Sequence, residues 1–211
     1  MLFRLDIKEI HVKLIAVVMC LIGIILFAIA PFLGKRQMRS AIRKNEIYQI
    51  CRVNSKEIDW KLIVLHHSAT EEGNAAKFDD YHRNKRKWQH GLAYHFVIGN
   101  GSLSSDGGIE VGPRWRKQIH GAHAGKMEIN KVAIGICLVG NFETTGGPTE
   151  QQRDSLYYLV LYLCKKYNIS IDNIVSHKQL LKSNTSCPGI NFPMDAFKHR
   201  LSKTLNDQEV I

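Results

Sequence analysis

Hydrophobic and polar positions along this chain divide it into an unbroken apolar block, a polar stretch and a long region of short patterned runs. Leu14 to Leu33 is twenty consecutive residues without a charge. At about 1.5 Å per residue such a helix spans the roughly 30 Å hydrocarbon core of a bilayer. Residues 34–57 are basic and largely polar, with no apolar periodicity beyond a turn or two, and read as a linker. A β-branched apolar run then predicts a strand over 61–66, followed by a helix over 76–86 with Phe78, Tyr81 and His82 on one face. Strands follow at 92–98 and 108–112, with Asn100-Gly101 as the turn signal between them. Lys131 to Gly140 is almost wholly apolar, as expected of a strand in the middle of a sheet. After Pro148 a helix capped by Thr149 runs to about Tyr167 on Leu156, Leu159, Val160 and Leu163. A short strand at Ile174-Val175 and a helix over 193–204 complete the pattern.

Strands alternating with helices predict an α/β fold: a mixed central β-sheet flanked by helices, in one domain over 58–205. A short tail, 1–13, and one transmembrane helix, 14–33, precede it. Ala28-Ile29-Ala30 has the small-x-small form of a signal-peptidase site, but Pro31 directly after it lacks the N–H and the freedom that cleavage needs, so a retained anchor is favoured. Arg4, Lys8 and Lys13 precede the span, and Lys35, Arg36, Arg39, Arg43 and Lys44 follow it. Counted alone, these charges place the C-terminal domain in the cytoplasm.

The net charge of +10 suits a polyanionic partner. Nucleic acid is not expected, because no recognition helix or aromatic stacking module is visible. Five cysteines, one of them Cys20 within the apolar block, do not make an even disulfide framework.

Two imidazoles and one thiolate form a ligand set that can hold zinc and leave its fourth position open, which is the pattern of a catalytic site. His66, at the end of the first strand, with His177 and Cys187, ten residues apart across a Lys/Ser/Asn-rich loop, are such a set. By itself the spacing is a weak signal. Cys187 also has a reading as a half-cystine with Cys51, Cys137 or Cys164, and Tyr94 one as ordinary strand packing. Successive strand side chains face opposite sides, so only one of His66 and His67 can aim at a metal.

Four blocks in order bring these residues together: VLHHSAT at 64–70, GLAYHFVIGNGS at 91–102, HGAHAG at 120–125 with NKVAIGICLVGNF at 130–142, and SHKQLLKSNTSCPG at 176–189. Together they resemble the zinc-dependent N-acetylmuramoyl-L-alanine amidases, which share a fold with peptidoglycan recognition proteins and with the amidase lysins of some phages. The resemblance implies Zn2+ on His66, His177 and Cys187 and a catalytic role for Tyr94. It places Thr185, two positions before the last ligand, where some relatives carry Lys. A Lys would offer a full charge to a developing oxyanion, whereas Thr offers a neutral hydroxyl. Cys137 falls where the cytoplasmic muropeptide amidases tend to carry Glu, which leaves Tyr94 the nearest candidate for managing protons.

His67 and His123, in the matched blocks, are candidate substrate contacts, and Arg114 is a candidate for binding peptide carboxylates. The implied activity is hydrolysis of the amide between N-acetylmuramic acid and L-alanine, on peptidoglycan or muropeptides. The rival is a non-catalytic muropeptide-binding module, a class whose members characteristically lose a ligand, the cysteine in particular. Because an enzyme acting on intact peptidoglycan has its substrate outside, the domain is expected to face the periplasm or cell exterior on a membrane anchor, against the charge count.

Overall fold

Residues 18, 19, 21, 38, 40–181 and 185–206 are described by a computed structural model. Two compact units divide the chain, Met1–Asn45 and Glu46–Ile211. The span expected over 14–33 lies outside the described residues except for Val18, Met19 and Leu21, which are helical. Among the described residues no helix is long and apolar enough to cross a membrane.

Within the second unit, α1 is the 46–51 part of a helical stretch over 40–51. It is followed by β1 (Leu62–His67), α2 (Ala75–Asn84), β2 (Phe96–Ile98), β3 (Ile109–Val111), α3 (Pro113–Lys117), α4 (Met127–Asn130), β4 (Ala133–Leu138), α5 (Glu150–Tyr167), β5 (Ile174–Ser176), α6 (His177–Leu181) and α7 (Met194–Asn206). The strands form one sheet in the order β3-β2-β4-β1-β5. Only the β2–β3 pair is antiparallel, and the other pairings are parallel. The predicted mixed sheet flanked by helices is therefore the fold.

Strand alternation divides the residues between two faces. Ile63 and Leu65 of β1, Phe96 and Ile98 of β2, and Ile134, Ile136 and Leu138 of β4 enter the main core with residues of α5 and α7. Val97 joins Leu92 and Val139 in a smaller cluster on which Phe78 of α2 packs. Thr149 caps α5 in a reciprocal box with Gln152. The amide of Gln152 is then free to donate to Val139 O at 2.8 Å and Ile98 O at 3.2 Å, fastening the helix to two strand ends.

The strand expected over 92–98 is shorter, Phe96–Ile98. Side chains take the backbone groups before it: Asp79 accepts from Leu92 N, His82 Nδ1 from Ala93 N, and Arg114 donates to Leu92 O. The linker expected over 34–57 is also revised. Ile47 and Cys51 are fully buried in the main core with Ile50 packed against it, an i, i+3, i+4 stripe too short to stand out among basic neighbours. Trp115 Nε1 donates to Cys51 O at 3.1 Å, and Glu57 accepts from Lys166 and Tyr167. The short helices α3, α4 and α6 were not foreseen, since four or five residues carry no readable period.

Because Ile47 is fully buried, Ile47→Ala is expected to destabilise the domain by about 2–4 kcal/mol. Urea unfolding of the two proteins checks this, and an effect below about 0.5 kcal/mol would return residues 46–51 to the linker.

Candidate active site

β1, β4 and β5 run parallel, so their carboxyl ends lie at one edge of the sheet, the edge where open α/β folds build sites. His66 is the penultimate residue of β1, and His177 follows β5 directly as the first residue of α6. Cys187 comes from the loop beyond α6, where its carbonyl accepts from Lys178 N at 2.9 Å. The one ligand atom that each of His66, His177 and Cys187 offers lies within 4.8 Å of the others.

Two observations test whether this set fits a metal ion. Cys187 Sγ is 3.6 Å from His66 Nδ1, and tetrahedral zinc with bonds of about 2.0 Å to nitrogen and 2.3 Å to sulfur separates such a pair by roughly 3.5 Å. His177 Nε2 is buried without a hydrogen-bond partner among the described residues, a costly state for a ring nitrogen unless something fills it. Burial drives the charges the same way. It holds His66 well below the ordinary histidine range, helped by His123, His177 and His67, and lowers His177 as well, so both rings are neutral and able to ligate. Burial also pushes the Cys187 thiol up to about 11, against a smaller lowering by the His67 carbonyl. A bound cation reverses that last effect. The residues fit zinc.

A cavity of about 720 Å³ opens beside these three residues. Phe78, Tyr81 and His82, the α2 face expected from the sequence, form one wall with Trp88. His82 stacks on Trp88 at 4.9 Å, and the Arg86 guanidinium lies 5.6 Å from the Trp88 ring centre. Lys77 and Arg86 line the cavity, and no carboxylate does among the described residues. Neither cation was singled out in the sequence, where each is one of 29 Lys and Arg.

Tyr94 lines the cavity with its ring 5.2 Å from that of His66. Burial raises its phenol well above the usual range, and the thiols of Cys137 and Cys187 raise it further. It therefore stays protonated and serves as a donor. The strand register places Cys137 between His66 of β1 and Val97 of β2. His123 also lines the cavity, and its Nδ1 is 3.0 Å from His66 Nε2.

Other expected site residues are placed elsewhere. His67 points to the main-core side, as strand alternation requires; its Nδ1 accepts from Phe142 N at 3.1 Å and its ring packs on Phe142. It does not line the cavity. Arg114 is 2% exposed and spends its guanidinium on carbonyls, donating to Leu92 O and His120 O at 2.6 Å each. It braces two walls and does not line the cavity. Thr185 is half-buried, and its hydroxyl accepts from Cys187 N at 3.3 Å, steadying the loop that carries the thiol. His95, a residue not picked out in the sequence, accepts from Gly135 N at 2.9 Å and donates to Ile119 O at 3.2 Å, tying β4 to the wall of the site.

A sequence model of the N-acetylmuramoyl-L-alanine amidase (Amidase_2) family matches residues 56–190. The chain belongs to the N-acetylmuramoyl-L-alanine amidase family. Among solved structures it is similar to the N-acetylmuramoyl-L-alanine amidase LysC from Clostridium intestinale URNW, with 32% identity and a TM-score of 0.59 over 72% of this chain and 97% of that one. It is also similar to a point mutant of Drosophila PGRP-LB in complex with tracheal cytotoxin, with 25% identity and a TM-score of 0.52 over 65% and 80% of the two chains. A third is peptidoglycan recognition protein-LE in complex with tracheal cytotoxin, a monomeric diaminopimelic acid-type peptidoglycan, with 25% identity and a TM-score of 0.53 over 66% and 80%. Among curated protein sequences none matches this family member.

The histidines of the site set a pH dependence. Burial lowers His66, His95 and His177 from the ordinary 6.5, and His123 to about 3. The unfolded chain therefore binds more protons than the fold below 6.5, so stability is fully present above that pH and is lost as pH falls. In metal-free protein the urea midpoint is expected to drop between about pH 7.5 and pH 5.5. A midpoint that is constant over that range would show these rings to be free to charge.

Proposed function

We propose that this family member hydrolyses the amide between N-acetylmuramic acid and L-alanine in peptidoglycan or muropeptides, with Zn2+ held by His66, His177 and Cys187. The convergence of those three ligand atoms within 4.8 Å beside a large open cavity carries the reading. When bound, zinc supplies a Lewis acid for the scissile carbonyl and acidifies water.

The chain's own residues supply the remainder. Tyr94, a phenol that burial keeps protonated and that lines the cavity beside His66, would donate to the oxygen on which charge develops. The departing amine needs a proton, and with no carboxylate among the described lining residues Tyr94 is the donor nearest at hand. Thr185 orders the Cys187 loop and has a hydroxyl hydrogen left to give. Lys77 and Arg86 give the groove a positive wall suited to the carboxylates of a stem peptide, and the aromatic surface of Trp88 suits the apolar face of a sugar or a peptide methyl. Tracheal cytotoxin in two of the similar structures is a ligand of that chemical class. Residues 14–33 would tether the domain to a membrane, on the side where the wall lies.

Incubation of the protein with purified peptidoglycan, followed by mass spectrometry, tests the activity. Free stem peptides and peptide-free glycan are expected, lost with a chelator and restored by zinc. Muropeptide binding without cleavage in zinc-loaded protein would make this a recognition module. Tyr94→Phe is expected to lower turnover by about ten- to a thousandfold with the metal retained. Thr185→Val should show a loss within the same span, and wild-type rates in both variants would leave the donor role to other groups.

A further inference from the structure

The ring of His123 is held on every side. Asn130 Oδ1, buried, accepts from the backbone N–H groups of His123 and Ala124 at 3.0 Å each, which fixes the chain at this point. Gly121 and Gly135 make a slot for the imidazole. A Cβ on Gly121 would stand 2.4 Å from His123 Cδ2, and one on Gly135 would stand 2.3 Å from the same atom, so neither position has room for a side chain. Each ring nitrogen then has one partner. Nε2 is 3.3 Å from Ala133 O, and Nδ1 is 3.0 Å from His66 Nε2.

Only one hydrogen placement satisfies this chain. A carbonyl only accepts, so His123 Nε2 bears the hydrogen, and in a neutral imidazole Nδ1 is then an acceptor. His66 Nε2 must therefore donate to it. That leaves Nδ1 of His66 bare, and Nδ1 is the atom 3.6 Å from Cys187 Sγ. The opposite tautomer would direct an N–H at the position where the three candidate ligands converge and leave no lone pair for a cation.

We propose that His123 is a positioning residue that holds His66 in the Nε2–H tautomer, with Ala133 O, Asn130 and the Gly121/Gly135 slot fixing His123 itself. This rests on the zinc reading of the site and extends it to the group behind the ligand, where outer partners tune affinity. The His66 side chain reaches the metal position from a rigid strand, and His123 decides which of its nitrogens arrives ready to bind.

Long-range proton–nitrogen correlation spectra of histidine-labelled, chelator-treated protein read the tautomer directly. Wild type is expected to show His66 with hydrogen on Nε2 alone, and His123→Ala a mixture of the two tautomers. His123→Asn, which puts an acceptor oxygen about where Nδ1 stands, should restore the single form. Zinc affinity, measured by competition with a chromophoric chelator, should weaken about ten- to a hundredfold in His123→Ala and recover most of the loss in His123→Asn. Hydrogen on Nδ1 of His66 in wild type overturns the proposal, as does unchanged zinc affinity in His123→Ala. Since the spectra are recorded without metal, a protein that binds no zinc at all would sink the functional reading and leave the tautomer assignment to stand or fall by itself.

Discussion

β1 is hydrogen-bonded on both edges, to β4 along its whole length and to β5 over Ile63–Leu65, and all three strands run the same way. Every site residue depends on that pairing. Parallel strands end together, so a ligand at the end of β1 and another just after β5 become neighbours although 111 positions separate His66 from His177. A slip of one residue in β1 would send His66 into the main core and His67 to the cavity. The register is secured by Ile63 and Leu65, which are fully buried among residues of α5 and α7 and have no place on the other face.

On the site face the sheet carries an unusual load. His66, His95, His123 and Cys137 are each nearly or fully buried there, where apolar side chains would be simplest. Burial holds the imidazoles neutral and the Cys137 thiol protonated, so the region is polar and uncharged in the absence of a cation. Most of these groups are paired. His95 bridges Gly135 N and Ile119 O, and His123 bridges His66 and Ala133 O. Beside them, His177 Nε2 is a buried atom with no hydrogen-bond partner among the described residues, and it lies in the candidate ligand set. In a low-dielectric interior an unsatisfied ring nitrogen is costly, and coordination to a cation is the bond that would relieve it.

Around that neutral centre the walls divide their tasks. Arg114 and Asp79 bind backbone groups at Leu92 and so hold the entry to Tyr94, while α2 contributes an aromatic and cationic surface with no buried residue of its own. Among the described residues the cavity is lined by hydrogen-bond donors, imidazoles and a thiol, with no carboxylate to act as a base.

Much of this was legible in the order of residues. Continuous apolar runs found the two long strands, which are covered on both faces, and apolar positions at helical spacing found α2 and α5. The alternation rule allowed only one of His66 and His67 to face a metal, and four motif blocks in order pointed to His66, to its partner ligands and to the family. Tertiary structure decided the remainder, for reasons that local pattern does not encode. Arg114 and His67 looked like substrate contacts, yet carbonyls and amides distant in sequence claimed them, since a buried polar group takes whichever partner the fold brings near. The stripe of Ile47, Ile50 and Cys51 was masked by basic neighbours, and only the presence of a core to receive it made it part of the domain. The bond from His123 to His66 spans 57 positions and depends on the slot between two glycines, a fit in three dimensions that no spacing along the chain announces.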